Sequence, residues 1–183
     1  MKTESVLSMS VNYLLIQSIG FIGTILYFVS FQFKDNRKLF RVQFLSYLFY
    51  TFHLLLLGAV TGGISYMINT FRSICLGSSW RFARGKTMCA VICLMQMAAL
   101  YFTWSGWISV LPVAANIAAT IGGYTHNAQK IRIAGMFINS PLWIIYDIIV
   151  GSWAGILDEV VSEISMIISI IRYGWKNLDN KES

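Results

Sequence analysis

Seven apolar runs fill most of the chain, and short polar joints separate them. The expected bounds of the runs are Val11–Phe33, Val42–Leu57, Ile64–Trp80, Thr87–Trp104, Trp107–Thr125, Ile133–Val150 and Ser152–Tyr173. A helix needs ~20 mostly apolar residues to cross a bilayer. The pattern therefore predicts seven transmembrane helices, and with them an all-α membrane protein that forms a single integral domain over residues 1–183.

Composition excludes a soluble domain of ordinary makeup. Hydrophobic residues make up 56% of the chain and charged residues only 12%, whereas about a quarter of the residues of soluble domains are charged. The N-terminal segment is largely polar, and the first apolar run is followed by basic residues instead of a small-residue cleavage site. We therefore expect this run to be retained as a helix.

Basic residues lie in clusters that alternate with joints free of Lys and Arg. The clusters are at 34–41, 81–86, 130–132 and 172–181, and the joints free of basic residues are at 58–63, 105–106 and 151–155. Because Lys and Arg concentrate in cytoplasmic joints, we expect a multi-pass protein with its N-terminus outside and its C-terminus in the cytoplasm. The net charge of +6 accompanies no continuous basic stripe and no nucleic-acid motif, so we expect no nucleic-acid partner.

The second half of the chain repeats features of the first. One shift pairs Gly58 with Gly151, Gly62 with Gly155, Tyr50 with Trp143, His53 with Tyr146, and Asn69 with Ser162. We therefore expect two parallel three-helix repeats, residues 11–80 and 107–173, joined by a spacer helix at 87–104. Repeats of the same orientation are related by an axis along the membrane normal, and substrate sites lie between them.

Two stretches of the chain carry a resemblance to a known family. They read RVQFLSYLFYTFHLLLLGAVTGGISYMINTFRS and NSPLWIIYDIIVGSWAGILDE, and they resemble the YgjV-type bacterial inner-membrane proteins. This resemblance covers most of the chain and implies a location in the bacterial inner (plasma) membrane. The three-one-three plan is more loosely similar to the SWEET sugar carriers and the PQ-loop transporters, which implies the helix order one-three-two within each half.

The similarity to SWEET carriers also implies a pocket between the halves. By position, the asparagines of that pocket correspond to Asn69 and Ser162, and its flanking aromatic residues correspond to Tyr50 and Trp143. Two features depart from the pattern. The Pro-Gln hinge lacks its proline in both halves, and serine replaces one of the two asparagines.

Ionisable residues within the apolar runs mark a candidate site. A charge near the middle of a spanning helix costs about 2.5–3.5 kcal/mol or more, so Glu163 and Arg72, each near the centre of its run, need partners. They could form a buried ion pair that locks the halves together, or a pair coupled to a proton or a substrate. Glu159, one turn before Glu163, is expected to line an entrance. Asp147, near the outer end of its helix, is expected to line the entrance as well or to make a cap-like contact.

Aromatic residues complete the expected pocket. Their rings could form walls suited to a sugar or another ring-shaped ligand, and they could equally serve to pack membrane helices. His53 fits either a core histidine with satisfied hydrogen bonds or a proton relay. The full set of substrate-binding candidates is Tyr50, His53, Asn69, Arg72, Trp143, Tyr146, Ser162 and Glu163.

No motif indicates an enzyme, a metal site or a cofactor. The chain has no His-Glu-x-x-His motif, nucleophile elbow or phosphate loop. Cys75, Cys89 and Cys93 lie inside apolar runs with no further ligand beside them, which favours small buried hydrophobic residues over a metal site. We therefore expect neither catalysis nor a bound cofactor.

These observations together predict a small-molecule transporter or facilitator. Its expected partners are the lipid bilayer and an unidentified small molecule, and homo-oligomerisation is left open. Two alternatives use the same architecture. One is a receptor that binds a ligand without moving it across the membrane, and the other is a structural partner of another membrane protein.

Overall fold

The computed structural model describes the backbone of residues 2–178 and the side chains of residues 12–178. The described backbone is mainly helical and contains no β-strand. The long helices are α1 (Lys2–Ser30), α2 (Asn36–Leu56), α3 (Val60–Gly77), α4 (Lys86–Phe102), α5 (Val110–Gly123), α6 (Ala128–Val150) and α7 (Trp153–Tyr173). The all-α class is confirmed, and each predicted apolar run corresponds to one of these helices.

The helices α2 and α6 begin several residues before their apolar runs, and a polar side chain caps each of them. Asp35 accepts a hydrogen bond from the backbone N–H of Arg37 at 2.8 Å, and Asn127 accepts one from the N–H of Lys130 at 2.8 Å. Such caps satisfy backbone donors that have no partner inside the helix. The basic clusters after α1 and α5 therefore lie on the first turns of α2 and α6, where the sequence pattern predicted joints.

A wide π-helical turn at Gly135–Asn139 interrupts α6. The N–H of Ser140 bonds to the carbonyl of Gly135, and Pro141 follows directly. A proline cannot donate to the preceding turn and clashes with its carbonyl, and a π turn accommodates such a disruption without ending the helix. The extra residue in this turn also rotates the part of α6 that follows it. Trp143 lies in that part and is buried.

The helices pack in chain order around a common interior. Within the first half α2 lies between α1 and α3, and within the second half α6 packs against both α5 and α7. The halves meet where α1 contacts α7 and where α3 contacts α5, and α4 packs against α3 and α5. The order one-three-two implied by the similarity to SWEET carriers is therefore wrong for this structure, because the second helix occupies the middle position.

Small residues allow the close approach of α1 to its neighbours. A Cβ at Gly20 would meet Ala154 of α7 and His53 of α2, and a Cβ at Gly23 would meet the ring of Tyr50. Close packing at small residues is common between membrane helices. It brings the side chains of α2 and α7 to the same interior space.

The exterior of the bundle is apolar, as expected for a protein surrounded by lipid. Three segments, Asn12–Ser30, Asn36–Leu56 and Ala128–Val150, are long and apolar enough to cross a membrane, and Lys86–Phe102 and Trp107–Gly123 are shorter apolar helices. Large side chains such as those of Leu, Ile and Phe are exposed along these helices, while many polar side chains are buried. A membrane location is therefore supported, whereas the count of seven spans stays a prediction.

The joints that carry basic residues meet at one end of the bundle. Asn36 donates to the carbonyl of His126 at 3.1 Å, and a ring nitrogen of His126 lies 2.9 Å from the carbonyl of Arg84. At the same end, Tyr173 donates to the carbonyl of Gln32 at 2.9 Å. The membrane side that this end faces stays a prediction, and the side chain of Lys2 and all of Lys181 lie outside the described residues.

Candidate functional site

Four aromatic side chains from three helices fill the centre of the bundle. The rings of Tyr50 on α2 and Tyr66 on α3 are stacked with centroids 5.1 Å apart, and Tyr66 lies 4.5 Å from Trp143 on α6. Trp143 in turn makes an edge contact with Tyr146 at 5.5 Å. All four are buried. Three of the predicted aromatic candidates are thus brought together, and Tyr66 joins them.

Two buried asparagines and Trp143 form a hydrogen-bonded group beside these rings. The Nδ2 of Asn69 donates to the Oδ1 of Asn116 on α5 at 2.7 Å, and the indole N–H of Trp143 donates to the same oxygen at 3.3 Å. Because an indole N–H can only donate, the atom that faces it must be an oxygen, which determines the orientation of both amides. The Nδ2 of Asn116 and the Oδ1 of Asn69 are left buried without a hydrogen-bond partner.

Arg72 lies next to this group with only neutral oxygens around it. Its guanidinium donates to the hydroxyl of Tyr47 at 3.1 Å, the hydroxyl of Thr120 at 3.3 Å and the carbonyl of Asn116 at 3.5 Å. It also lies over the ring of Tyr47, 5.5 Å from the centroid. The side chain is 2% exposed, and its Nε has no hydrogen-bond partner.

The predicted ion pair between Arg72 and Glu163 is not formed. None of the hydrogen bonds of Arg72 reaches a carboxylate, and Glu163 is half-buried beside the hydroxyl of Ser140 on α6. The positions of the two residues within their helices could not predict that α2 and α5 supply the partners of Arg72. The neutral oxygens of those helices take the place expected for the carboxylate.

The carboxyl groups of α7 form a second polar region. Asp158 and Glu159 are both buried, and they interact electrostatically with each other. Asp158 lies beside the hydroxyl of Tyr50. The carboxyl groups of Glu159 and Glu163 both lie beside the hydroxyl of Ser140. The Oδ1 of Asp158 and the Oε2 of Glu159 are buried without a hydrogen-bond partner. Among the described residues, no basic side chain forms an ion pair with this acidic group.

Asp147 and Glu159, the residues expected at an entrance, are both buried. Asp147 is 2% exposed and Glu159 is 1% exposed. The carboxyl of Asp147 lies against Gly155, where a Cβ would collide with it, and beside the hydroxyl of Ser152. Because Gly155 has no side chain, α6 and α7 approach closely enough to bury a carboxyl near a helix end. The position of Asp147 along its helix did not indicate this burial.

The two remaining candidates form no hydrogen bond with the asparagines or with Arg72, although the ring of His53 makes an edge contact with Tyr50 at 5.8 Å. His53 approaches the hydroxyl of Ser152 at 2.9 Å and the carbonyl of Ile16 at 2.8 Å, so both of its ring nitrogens have partners. Ser162 donates to the carbonyl of Glu159 within its own helix at 3.0 Å. The structure therefore gives His53 the satisfied contacts of a core histidine, and Ser162 does not occupy a position like that of Asn69.

Sequence reasoning missed Asn116, Tyr66 and Tyr47. Asn116 was the easiest of the three to find, because it is the only asparagine in an otherwise apolar α5, and a lone amide inside a membrane helix needs a hydrogen-bonding partner. Tyr66 and Tyr47 had no comparable signal, because tyrosines are common in this chain. Their role depends on helix packing.

Two cavities of the described structure lie at the periphery of the bundle. One, of about 230 Å³, opens at the end where α2 meets α3 and is lined in part by Tyr146, Thr61 and Thr103. Another, of about 420 Å³, lies between α1 and α7 and is lined almost wholly by apolar residues. The described residues contain no group of three or more His, Cys, Asp or Glu residues that could hold a metal ion.

Comparisons with known proteins assign the chain to a family. No curated protein and no solved structure matches it. The family model for bacterial inner membrane proteins of the Imp-YgjV type matches residues 14–177, which is most of the chain. This match agrees with the apolar exterior and the polar interior of the bundle. The chain belongs to the Imp-YgjV family of bacterial inner membrane proteins.

Proposed function

We propose that this protein is a small-molecule transporter or facilitator of the inner membrane. The observation that carries the proposal is the set of buried polar atoms without partners at the centre of the bundle, on Asn69, Arg72, Asn116, Asp158 and Glu159. Such groups are expensive inside a membrane protein and mark sites of function more often than of stability. A substrate in the interior would supply the missing hydrogen bonds.

The proposed movement is a rocking of the helices α1–α3 against the helices α5–α7, in a protein that spans the membrane seven times. Contacts between these two groups of helices include ring contacts, the hydrogen bonds of Arg72 to α5, and hydrogen bonds between neutral groups. The hydroxyl of Tyr146 accepts from the N–H of Gly62 at 3.0 Å, and the N–H of Ala154 donates to Gln17 at 2.9 Å. Neutral hydrogen bonds of this kind can be exchanged for water or substrate at low cost.

The test measures flux across proteoliposomes for a panel of labelled sugars, nucleosides, amino acids and organic acids. Two pairs of introduced cysteines give a matched comparison in a background in which Cys75, Cys89 and Cys93 are replaced by Ala. The pair Gly20→Cys with Ala154→Cys joins α1 to α7, and the pair Gly122→Cys with Ala134→Cys joins α5 to α6. In both pairs a Cβ at the glycine would lie closer to the Cβ of the alanine than in a disulfide, so each pair needs a small separation of its two helices.

Under the proposed function, oxidation of the first pair stops flux and reduction restores it. Oxidation of the second pair leaves flux unchanged, since α5 and α6 move together. Absence of flux for every compound tested would count against transport. If a compound then still stabilised the purified protein, a ligand-binding protein that does not transport would replace the carrier.

A further inference from the structure

The chain buries two arginines, Arg72 and Arg132, and the Nε of each has no hydrogen-bond partner. Arg132 is 1% exposed and donates to the carbonyl of Ala128 at 3.2 Å and to the hydroxyl of Ser169 at 2.7 Å. It belongs to α6, near the end of the bundle where the basic clusters meet. Arg72 lies deeper, in the interior of α3, next to the two asparagines.

The charge of Arg72 is permanent, because a guanidinium does not lose its proton in proteins. Burial of such a charge costs several kcal/mol unless an anion or a full set of hydrogen bonds offsets the cost. The oxygens around Arg72 are neutral, and Nε is left over. No described acidic side chain pairs with this cation.

The unpaired atoms beside Arg72 define what a ligand must offer. Two donors are free, the Nε of Arg72 and the Nδ2 of Asn116, and one acceptor is free, the Oδ1 of Asn69. The N–H of Trp143 determines the orientation of both amides, as described above. A matching ligand therefore carries a negative group that accepts two hydrogen bonds and a neighbouring O–H or N–H that donates one.

We propose that the Arg72–Asn116–Asn69 group binds a small carboxylate with a hydroxyl or amino group on the adjacent carbon. The carboxylate takes hydrogen bonds from Arg72 and Asn116, and the hydroxyl or amino group donates to Asn69. The rings of Tyr66 and Trp143, now in contact, separate to admit the ligand and then cover it. This inference rests on the proposed function, since it names the substrate class of the same interior.

A carboxylate fits the group better than a phosphate does. Inorganic phosphate near neutral pH keeps a P–OH that could donate to the Oδ1 of Asn69, but its dianion carries a second negative charge that the single guanidinium of Arg72 does not offset. Two free donors match the two oxygens of a carboxylate. Inorganic phosphate is nevertheless included in the test, because it shares the anionic charge.

The experiment measures thermal unfolding of the purified full-length protein in detergent at constant ionic strength. The probes are glycolate, acetate, glycolamide and inorganic phosphate. Glycolate has both the carboxylate and the hydroxyl, acetate lacks the hydroxyl, and glycolamide lacks the charge. We expect glycolate to raise the unfolding temperature most, acetate less, and glycolamide and phosphate not at all. Equal shifts with glycolate and glycolamide would overturn the proposal.

Three variants assign the effect to particular atoms. Arg72→Gln should weaken glycolate binding on the order of tenfold or more, because it removes a charged hydrogen bond. Arg132→Gln is the matched control and should bind glycolate as the unchanged protein does. Asn69→Leu should bind glycolate and acetate equally. If Arg132→Gln abolished the shift and Arg72→Gln retained it, the assignment to Arg72 would be wrong.

The failure of this inference can be told apart from the failure of transport. If glycolate stabilises the protein through Arg72 but does not cross the membrane of proteoliposomes, the binding site is supported and the transport function is contradicted. If the protein transports a neutral sugar and Arg72→Gln does not change that flux, the transport function is supported and the carboxylate site is contradicted. If Arg72→Gln does not fold, Asn69→Leu still tests the inference, because its prediction compares the affinities of one variant for glycolate and for acetate.

Discussion

The interior of this bundle holds one region with a basic side chain and one with acidic side chains, and the two form no ion pair with each other. On one side Arg72 is surrounded by neutral oxygens from α2 and α5. On the other side Asp158 and Glu159 face tyrosine and serine hydroxyls. Tyr47 and Tyr27 lie between the two regions.

The two tyrosines connect the regions without closing them into an ion pair. Their hydroxyl groups are 3.4 Å apart, Tyr47 contacts Arg72, and Tyr27 interacts electrostatically with Glu159. A direct ion pair would fix the two halves of the bundle in one arrangement, and removal of either partner would be strongly destabilising. Separation leaves each region able to take up a ligand or a proton, which is why the contrast between them is the feature most worth testing.

The acidic side should respond most strongly to a change at Gly155. Gly155→Ala places a Cβ where the carboxyl of Asp147 lies, and overpacking of this kind should cost about 3 kcal/mol in the free energy of unfolding. The measurement is an unfolding titration in mixed micelles of dodecylmaltoside and sodium dodecyl sulfate.

Gly135→Ala is the matched control for Gly155→Ala. Its Cβ would meet only the thioether of Met166, a flexible side chain that can move aside. The free energy of unfolding should change by less than about 1 kcal/mol, because the greater helix propensity of alanine offsets part of the crowding. Equal losses in both variants would contradict the tight burial of Asp147.

The cationic side should depend on Asn116 more than on Asn69. Asn116→Leu leaves the donors of Asn69 and Trp143 buried and unsatisfied, which should cost about 2 kcal/mol in the free energy of unfolding. Asn69→Leu leaves the bond between Trp143 and Asn116 intact, so it should cost about half as much. The same micelle titration measures both. A larger loss for Asn69→Leu would mean that Asn116 is not the shared acceptor.

The tyrosine link between the two sides should make a smaller contribution. Tyr47→Phe removes the hydroxyl that Arg72 contacts at 3.1 Å, and the free energy of unfolding should fall by about 1 kcal/mol. Tyr101→Phe is the control, because Tyr101 is exposed on α4, and it should have no measurable effect. No loss in Tyr47→Phe would show that the guanidinium does not depend on this hydroxyl.

The smallest expected effect is the coupling between Arg72 and Glu163. Residues without shared partners change stability additively, so the losses in Arg72→Met and Glu163→Gln should sum to that of the double variant within about 0.5 kcal/mol. The four proteins of this cycle are compared by micelle titration. A coupling energy well above this value would restore the ion pair that the sequence predicted and that the structure does not contain.

Helix number and class were open to prediction because they depend on local composition. Each apolar run supplies enough hydrophobic length for a helix, and each became one in the described structure. The starts of α2 and α6 were misplaced, since caps at Asp35 and Asn127 extend those helices into polar segments. The family was also recognisable from two quoted stretches, and the match over residues 14–177 confirms it.

The candidate site was predicted in its residue types but not in its pairings. Asn69, Arg72 and Trp143 were correctly brought to one region, because polar and aromatic residues at mid-helix face inward in a membrane bundle. Asn116 was overlooked. Its importance comes from two donors that reach it from α3 and α6, and neither can be inferred from the sequence of α5.

By itself, the sequence determined that this protein is an all-α member of an inner-membrane family with costly polar residues inside its helices, because hydropathy and charge are properties of single segments. The order of the helices, the neutral surroundings of Arg72 and the burial of Asp147 against Gly155 were decided only by tertiary packing. The physical reason is that a partner atom lies on another helix, and its distance depends on how closely small residues let two backbones approach.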